Sequence, residues 1–103
     1  MTDNKPGEKF DTGKIRYSLI PPDALREIAQ VLDDGAKRHG VDNWRGVEPH
    51  RHLDALMRHV EAYRSGEIMD AEHGTTHMAH VAVNAIFLME LSRDEPSACA
   101  MAS

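Results

Sequence analysis

The chain has 103 residues, 41% of them apolar and 5% aromatic, and a net charge of −5 with histidine neutral. That length makes one domain the default with little surplus core, the aliphatic bias suits helix packing better than sheets, and the acidic balance argues against broad capture of nucleic acid. No apolar run is long enough to span a bilayer, no signal-peptide core is visible, and the single cysteine, Cys99, excludes an internal disulfide, so a reducing cytoplasm is the expected location.

Residues 1–12 are polar and aperiodic and read as a flexible N-terminal arm. Gly13 to Ile20 mixes Lys14 and Arg16 with apolar residues and reads as an extended segment docked on the body. Pro21-Pro22 closes it, and Asp23 is a good N-cap for a helix. Leu25, Ile28, Ala29, Leu32 and Ala36 keep helical spacing, which predicts a helix over 24–38, stopped by Gly35 and Gly40. A loop over 41–49 holds the only tryptophan, Trp44.

The second predicted helix spans 50–64. Leu53, Leu56, Met57, Val60 and Tyr63 form its apolar face, His52 and His59 lie along one edge, and Asp54, Arg58 and Glu61 point mostly the other way. A second long loop runs from Ser65 to Thr76. The third predicted helix spans 75–92, with Thr75 or Thr76 as its cap. Residues 93–103 have no pattern to bury and read as a disordered tail. The expected fold is therefore all-α: one domain over 13–92, a small bundle of three main helices. Three such helices make a thin bundle, and assembly into a homo-oligomer, a dimer or tetramer, would cover the remaining apolar faces.

Chemistry concentrates at the start of the third helix. His77, His80 and Asn84 have spacings of three, four and seven, which put them on one face with Val81, Ala85 and Leu88. Polar groups on a buried apolar face must find partners. Glu67, Asp70 and Glu72 lie just upstream. Carboxylates favour hard divalent cations and imidazoles favour zinc-like ions. A mixed set can hold either kind, and the expected cofactor is a divalent metal, Mg²⁺ or Mn²⁺, with Zn²⁺ or Co²⁺ as alternatives.

The plainer reading is a solvated acidic loop beside a pair of hydrogen-bonded core histidines. His59 is the best contribution from the second helix, pointing into the helix–helix groove. Its plainer reading is a partly exposed ring packed on a neighbour. Lys14, Arg16 and Lys37 suit phosphate contact, or are ordinary solvated charges. Trp44 suits stacking of a base or capping of the bundle. Asn43 suits a base edge or a turn.

Four stretches carry a resemblance. They are Lys9-Phe-Asp-Thr-Gly-Lys-Ile-Arg16 with Leu19-Ile-Pro21; Gly35-Ala-Lys-Arg-His-Gly40 with Asn43-Trp44-Arg45; Ala55-Leu-Met-Arg-His59; and Gly66 to Gly74 running into His77-Met-Ala-His80 and Asn84. In that order they resemble the phage dATP/dGTP diphosphohydrolase N-terminal domain family, related to the all-α, MazG-like nucleoside triphosphate pyrophosphohydrolases. The resemblance covers residues 9 to about 92.

It implies an oligomeric all-α bundle that cleaves a deoxynucleoside triphosphate between the α and β phosphates, with a divalent metal bridging phosphates and activating water. Such enzymes typically carry an ExxE pair on one helix and an ExxD pair on the next. Here the matching helices carry Arg58-His59 and His77-Met-Ala-His80, and the carboxylates sit in the preceding loop.

Residues and resemblance together predict a metal-dependent pyrophosphohydrolase acting on dGTP or dATP, in the host cytoplasm if phage-encoded. Its catalytic residues would be His59, Glu67, Asp70, His77 and His80. Glu67, Asp70, Glu72, His77 and His80 would hold metal. Lys14, Arg16 and Lys37 would neutralise phosphate, and Asn43, Trp44 and Asn84 would hold base or sugar. The expected partners are a small-molecule nucleotide and further copies of the chain, with neither nucleic acid nor membrane. Two alternatives stand beside this: a nucleotide-binding or sequestering phage protein without catalysis, and a structural metal-binding interaction domain.

Overall fold

The computed structural model describes residues 6–8 and 10–93. Helix α1 spans Pro22–His39, α2 spans Pro49–Arg64 and α3 spans His77–Arg93. Each boundary falls within two residues of the predicted one. Two short strands, β1 (Met69–Asp70) and β2 (Thr75–Thr76), pair antiparallel between α2 and α3, with Met69 opposite Thr76 and Asp70 opposite Thr75. The fold is mostly α, and the predicted long loop before α3 is in part this small hairpin.

Local chemistry sets the helix ends. α1 and α2 each begin with proline in the first turn, at Pro22 and Pro49. There the missing N–H costs no helical bond. Asp23 sits in the first turn of α1, not at the cap; Pro21 occupies that position and no side chain caps it. Lys37, Arg38 and His39 lie in the last turn, where cations favour the helix dipole. Gly40 comes next with φ of 98°, a conformation that glycine adopts without penalty. The start of α3 is held by the Thr76 hydroxyl, which accepts from the Ala79 N–H at 3.1 Å.

α3 is the central element. It packs most extensively against α2 and less against α1. Among the described residues only two apolar ones are buried, Ala79 and Val83, both on α3. The other buried residues are polar: His52, Asp70, Thr75, His77, His80 and Asn84. α1 has no fully buried residue. Ile28, Leu32 and Ala36 are half-buried, as its predicted face requires, but Leu25 and Ala29 are exposed.

Gly13 to Ile20 is not a docked extended segment. It holds a 3-10 turn at Tyr17–Leu19, and Ile15, Tyr17 and Leu19 are each about two-thirds exposed or more, at 76%, 76% and 66%. Of the predicted arm, residues 6–8 and 10–12 are exposed, while 1–5 and 9 lie outside the described residues. Of the predicted tail, Arg93 ends α3, and 94–103 lie outside the described residues. No helix among the described residues is long and apolar enough to cross a membrane.

Candidate active site

The hairpin and the N-terminal end of α3 place acids and imidazoles together. The turn between the strands is tied by the N–H groups of His73 and Gly74, which donate to the Asp70 carbonyl at 3.2 and 2.8 Å. Gly74 has φ of 73° there. The His77 N–H donates to the Ile68 carbonyl at 2.9 Å, so α3 starts directly against the hairpin. Glu27 of α1 completes the junction: its carboxylate accepts from the Thr76 N–H at 2.7 Å. Asp70 and Thr75, paired across the strands, then face the first turn of α3.

Asp70 is buried and held from two sides. Its Oδ1 accepts from the Glu72 N–H at 3.0 Å, and its Oδ2 lies 2.7 Å from His73 Nδ1. Burial alone would push its carboxyl up. The His73 hydrogen bond, the Glu72 N–H and the nearby imidazoles outweigh that and hold it below its ordinary value. Oδ2 also lies 3.6 Å from His80 Nε2. The Thr75 hydroxyl stands 2.8 Å from the same nitrogen.

His59 of α2 reaches across to α3. Its ring stacks on His80 with centroids 4.5 Å apart and planes 12° apart. Its Nδ1 lies 2.8 Å from His77 Nδ1, and His77 Nε2 lies 3.2 Å from Glu67 Oε1. Burial lowers the basicity of His59 and of His80, and the neighbouring imidazoles lower it further. Both rings are therefore biased toward the neutral form, which binds metal or accepts a proton.

One ligand atom each from His59, Asp70 and His80 lies within 4.8 Å of the other two. Two imidazole nitrogens and a carboxylate oxygen make a chemically suitable donor set for a divalent cation. Of these three, His80 also lines a cleft of about 1060 Å³ between α1, the loop after it and α3. His73, His80 and Asn84 line the cleft on one side, and Asp34, Asn43 and Trp44 on the other.

The acids and histidines predicted from sequence fall into two groups. His59, Asp70, His77, His80 and Glu67 come together: hydrogen bonds join Glu67, His77 and His59, and His80 stacks on His59 and stands 3.6 Å from Asp70. Glu72 contributes its backbone N–H but turns its carboxylate outward, with its side chain 77% exposed and 3.5 Å from His73 Nε2. Asn43, Trp44 and Asn84 line the cleft, and the Asn84 amide donates to the His80 carbonyl at 2.9 Å.

Both faces of the Trp44 indole are taken. Phe87 stacks on one at 4.5 Å, and the Arg45 guanidinium lies 4.4 Å from the ring centroid. Trp44 therefore serves as a cleft wall. Lys14, Arg16 and Lys37 do not line the cleft. Lys14 and Arg16 are exposed, and Lys37 pairs with Asp33 at 2.9 Å on the exposed side of α1, which raises its pKa.

Sequence alone assigns no part in the site to His73, His52, Phe87 or Glu27, and makes Thr75 only a candidate helix cap. Two signals were available. His73 lies three residues after Asp70 in a turn, and His52 precedes His59 by two helical turns. The structure shows His52 buried, with Nε2 3.0 Å from the Trp44 carbonyl and its ring against Phe87. No local signal links Glu27 to Thr76, 49 residues away.

The family model for the N-terminal part of dATP/dGTP diphosphohydrolases matches residues 4–98. The chain belongs to that family. It is 40% identical over 91 residues to a dATP/dGTP diphosphohydrolase of Salmonella phage PMBT28, an alignment covering 88% of this chain and 31% of that protein. The chain thus spans about a third of the length of this relative. No solved structure matches it significantly.

Proposed function

We propose that this chain hydrolyses purine deoxynucleoside triphosphates, dGTP or dATP, to the monophosphate and pyrophosphate with the help of a divalent metal. The observation that carries the reading is the donor cluster that meets the cleft at His80. Family membership says which substrates to try. The convergence of His59, Asp70 and His80 gives those substrates a place to react.

When bound there, a divalent ion would polarise phosphate oxygens and make a water acidic enough to attack. The chain's own residues do the rest. Asp70, fixed by His73 and the Glu72 N–H, keeps its carboxylate ionised and aimed at His80. His59 and His80 present neutral imidazoles at the cluster. His77, one hydrogen bond behind His59, can pass a proton toward the half-exposed Glu67. In the cleft, Asn43 and Asn84 offer amides that suit the edge of a base or a sugar hydroxyl. Arg38 and Arg51 also line the cleft, and they join Lys14, Arg16 and Lys37 as candidate cations for phosphate.

The exposed apolar side chains of α2, Leu53 at 45% and Met57 at 55%, support assembly into a homo-oligomer. The test of function is incubation with dGTP and dATP in Mg²⁺, Mn²⁺ or Co²⁺, then chromatographic separation of nucleotides. Monophosphate and pyrophosphate in equal amounts support the reading. No product with any metal or triphosphate removes it.

The relative's greater length favours a second reading, in which this part binds nucleotide and turnover belongs to sequence beyond the matched third. Calorimetric binding of dGTP without turnover would select it.

A further inference from the structure

Three contacts among carboxylates and imidazoles run in series through the cluster: Glu67 to His77, His77 to His59, and His59 beside Asp70 and His80. The first two determine which atom of His59 is free. An ionised carboxylate only accepts hydrogen bonds. At 3.2 Å from Glu67 Oε1, His77 Nε2 is therefore the protonated nitrogen. In the neutral ring, His77 Nδ1 is then an acceptor. It lies 2.8 Å from His59 Nδ1, so His59 Nδ1 carries the hydrogen. Nε2 of His59 is left with a bare lone pair.

We propose that Glu67 and His77 are positioning residues that lock His59 as an Nε2 donor. His59, Asp70 and His80 thereby form a nitrogen-rich centre selective for a borderline ion of the zinc or cobalt class over magnesium. Its part in hydrolysis rests on the function proposed above, but its binding of metal does not.

The geometry favours such an ion. Bonds of about 2.0–2.1 Å in a tetrahedral arrangement place donors about 3.4 Å apart. His80 Nε2 and Asp70 Oδ2 already stand at 3.6 Å. The remaining donor separations are within 4.8 Å, and closing them on one ion requires the stacked His59 and His80 rings to tilt out of their stack while the His59 Nδ1 contact to His77 is kept. The Thr75 hydroxyl, 2.8 Å from His80 Nε2, holds that lone pair in the metal-free protein and is displaced by the ion.

Magnesium needs near-octahedral oxygen ligands at about 2.0–2.1 Å and dehydrates reluctantly. A site offering two imidazoles and one carboxylate serves it poorly. Zinc and cobalt accept imidazole readily. A ligating histidine whose other nitrogen donates to a fixed acceptor is also the usual arrangement around such ions. Here that acceptor is a second histidine backed by a carboxylate.

Two measurements test the proposal. Long-range ¹H–¹⁵N spectra of the imidazoles in the metal-free full chain report tautomers directly. The expected pattern is His77 protonated at Nε2 and His59 at Nδ1; His59 protonated at Nε2 overturns the relay. The second is titration with Co²⁺, monitored by its visible absorption.

The wild type should bind one ion that a roughly hundredfold excess of Mg²⁺ leaves in place. His59→Ala should lose the absorption band. Glu67→Ala should weaken Co²⁺ binding about 10–100-fold, and Glu67→Gln, which keeps an oxygen acceptor, should fall between. The Glu67 side chain is 59% exposed, so its variants fold and remain informative even if His59→Ala does not.

Displacement of Co²⁺ by equimolar Mg²⁺, or Co²⁺ binding to Glu67→Ala as tight as to wild type, overturns the proposal. Selective cobalt binding with no triphosphate cleaved removes the hydrolase reading and keeps the centre. Full hydrolysis by His59→Ala with Mg²⁺ keeps the hydrolase reading and removes the centre's part in it.

Discussion

The hydrogen bond from the Thr76 N–H to Glu27, 2.7 Å long, adds a polar tie between α1 and the site region to the packing of α1 on α3. Replacing Glu27 by alanine should therefore destabilise the whole domain rather than fray one helix. Three terms set the size. A hydrogen bond to a charged group contributes about 1.5–3 kcal/mol. The carboxylate also sits at the N-terminal end of α3, where a negative charge adds roughly 0.3–1 kcal/mol.

Against these, alanine is the better helix former and returns a few tenths of a kcal/mol to α1. Thr76 is only half-buried, so water can partly replace the lost acceptor. The net cost is about 2 kcal/mol. For a domain this size that lowers the melting temperature by roughly 10 °C. Glu27→Gln keeps an acceptor oxygen and loses only the charge, so it should cost about 0.5–1 kcal/mol.

Thermal and urea unfolding by far-ultraviolet circular dichroism would rank the three proteins. An ordinary exposed helical glutamate changes stability by no more than about 0.5 kcal/mol when replaced. Glu27→Ala within that margin of wild type would refute the reasoning. So would Glu27→Gln as unstable as Glu27→Ala, since the charge would then be the whole effect.

Gly74→Ala should cost about 1–2 kcal/mol, read in the same melts: φ is 73°, and no described atom lies within 4 Å of the added methyl, so the penalty is purely conformational. The metal-free protein should lose stability as pH falls below the ordinary histidine value of 6.5, because His59 and His80 take up protons less readily folded than unfolded. Asp70, also lowered, adds a second loss at more acidic pH. Urea midpoints across that range check the sign, and a midpoint that rises on acidification from neutrality contradicts it. Met57→Lys, on the 55% exposed outer side of α2, should shift the sedimenting species to monomer without lowering helix content; a wild type that is already monomeric excludes that face as an interface.

The helices were legible in the sequence because each carries apolar positions at helical spacing and a local stop signal. Pro22, Pro49, Gly40 and Thr76 act within one turn of themselves, so their effect can be read without the rest of the fold. The meeting of Glu67 with His77 and of Asp70 with His80 was legible for the same reason, since ten residues of chain separate each pair. The hairpin was not, because strands of two residues have no alternation to detect. Nor was the order of contacts within the cluster. Five acids and histidines were placed near one another by spacing, but only the orientation of α2 against α3 decides that His59 stacks on His80 while Glu72 turns outward. Trp44 shows the same limit: its availability to a base depends on Phe87, 43 residues on, and on the Arg45 side chain above it.

The distribution of burial connects stability to function. In most small domains the best-buried residues are aliphatic and the site lies on top of them. Here Ala79 and Val83 are the buried apolar residues among those described, and Asp70, Thr75, His77, His80 and Asn84 are buried beside them. The site is thus much of the interior. Removing any one buried polar partner strands another, at a cost of about 1–3 kcal/mol. The same construction makes the fold sensitive to what the site binds. An ion that takes His59, Asp70 and His80 in the folded chain, and has little hold on them unfolded, stabilises the domain by about 4 kcal/mol at a thousand times its dissociation constant. That is a large share of the roughly 5–15 kcal/mol typical of a domain. A melt with and without Co²⁺ should therefore separate a functional centre from a set of histidines that merely pack: a rise in melting temperature that vanishes in His59→Ala belongs to the former.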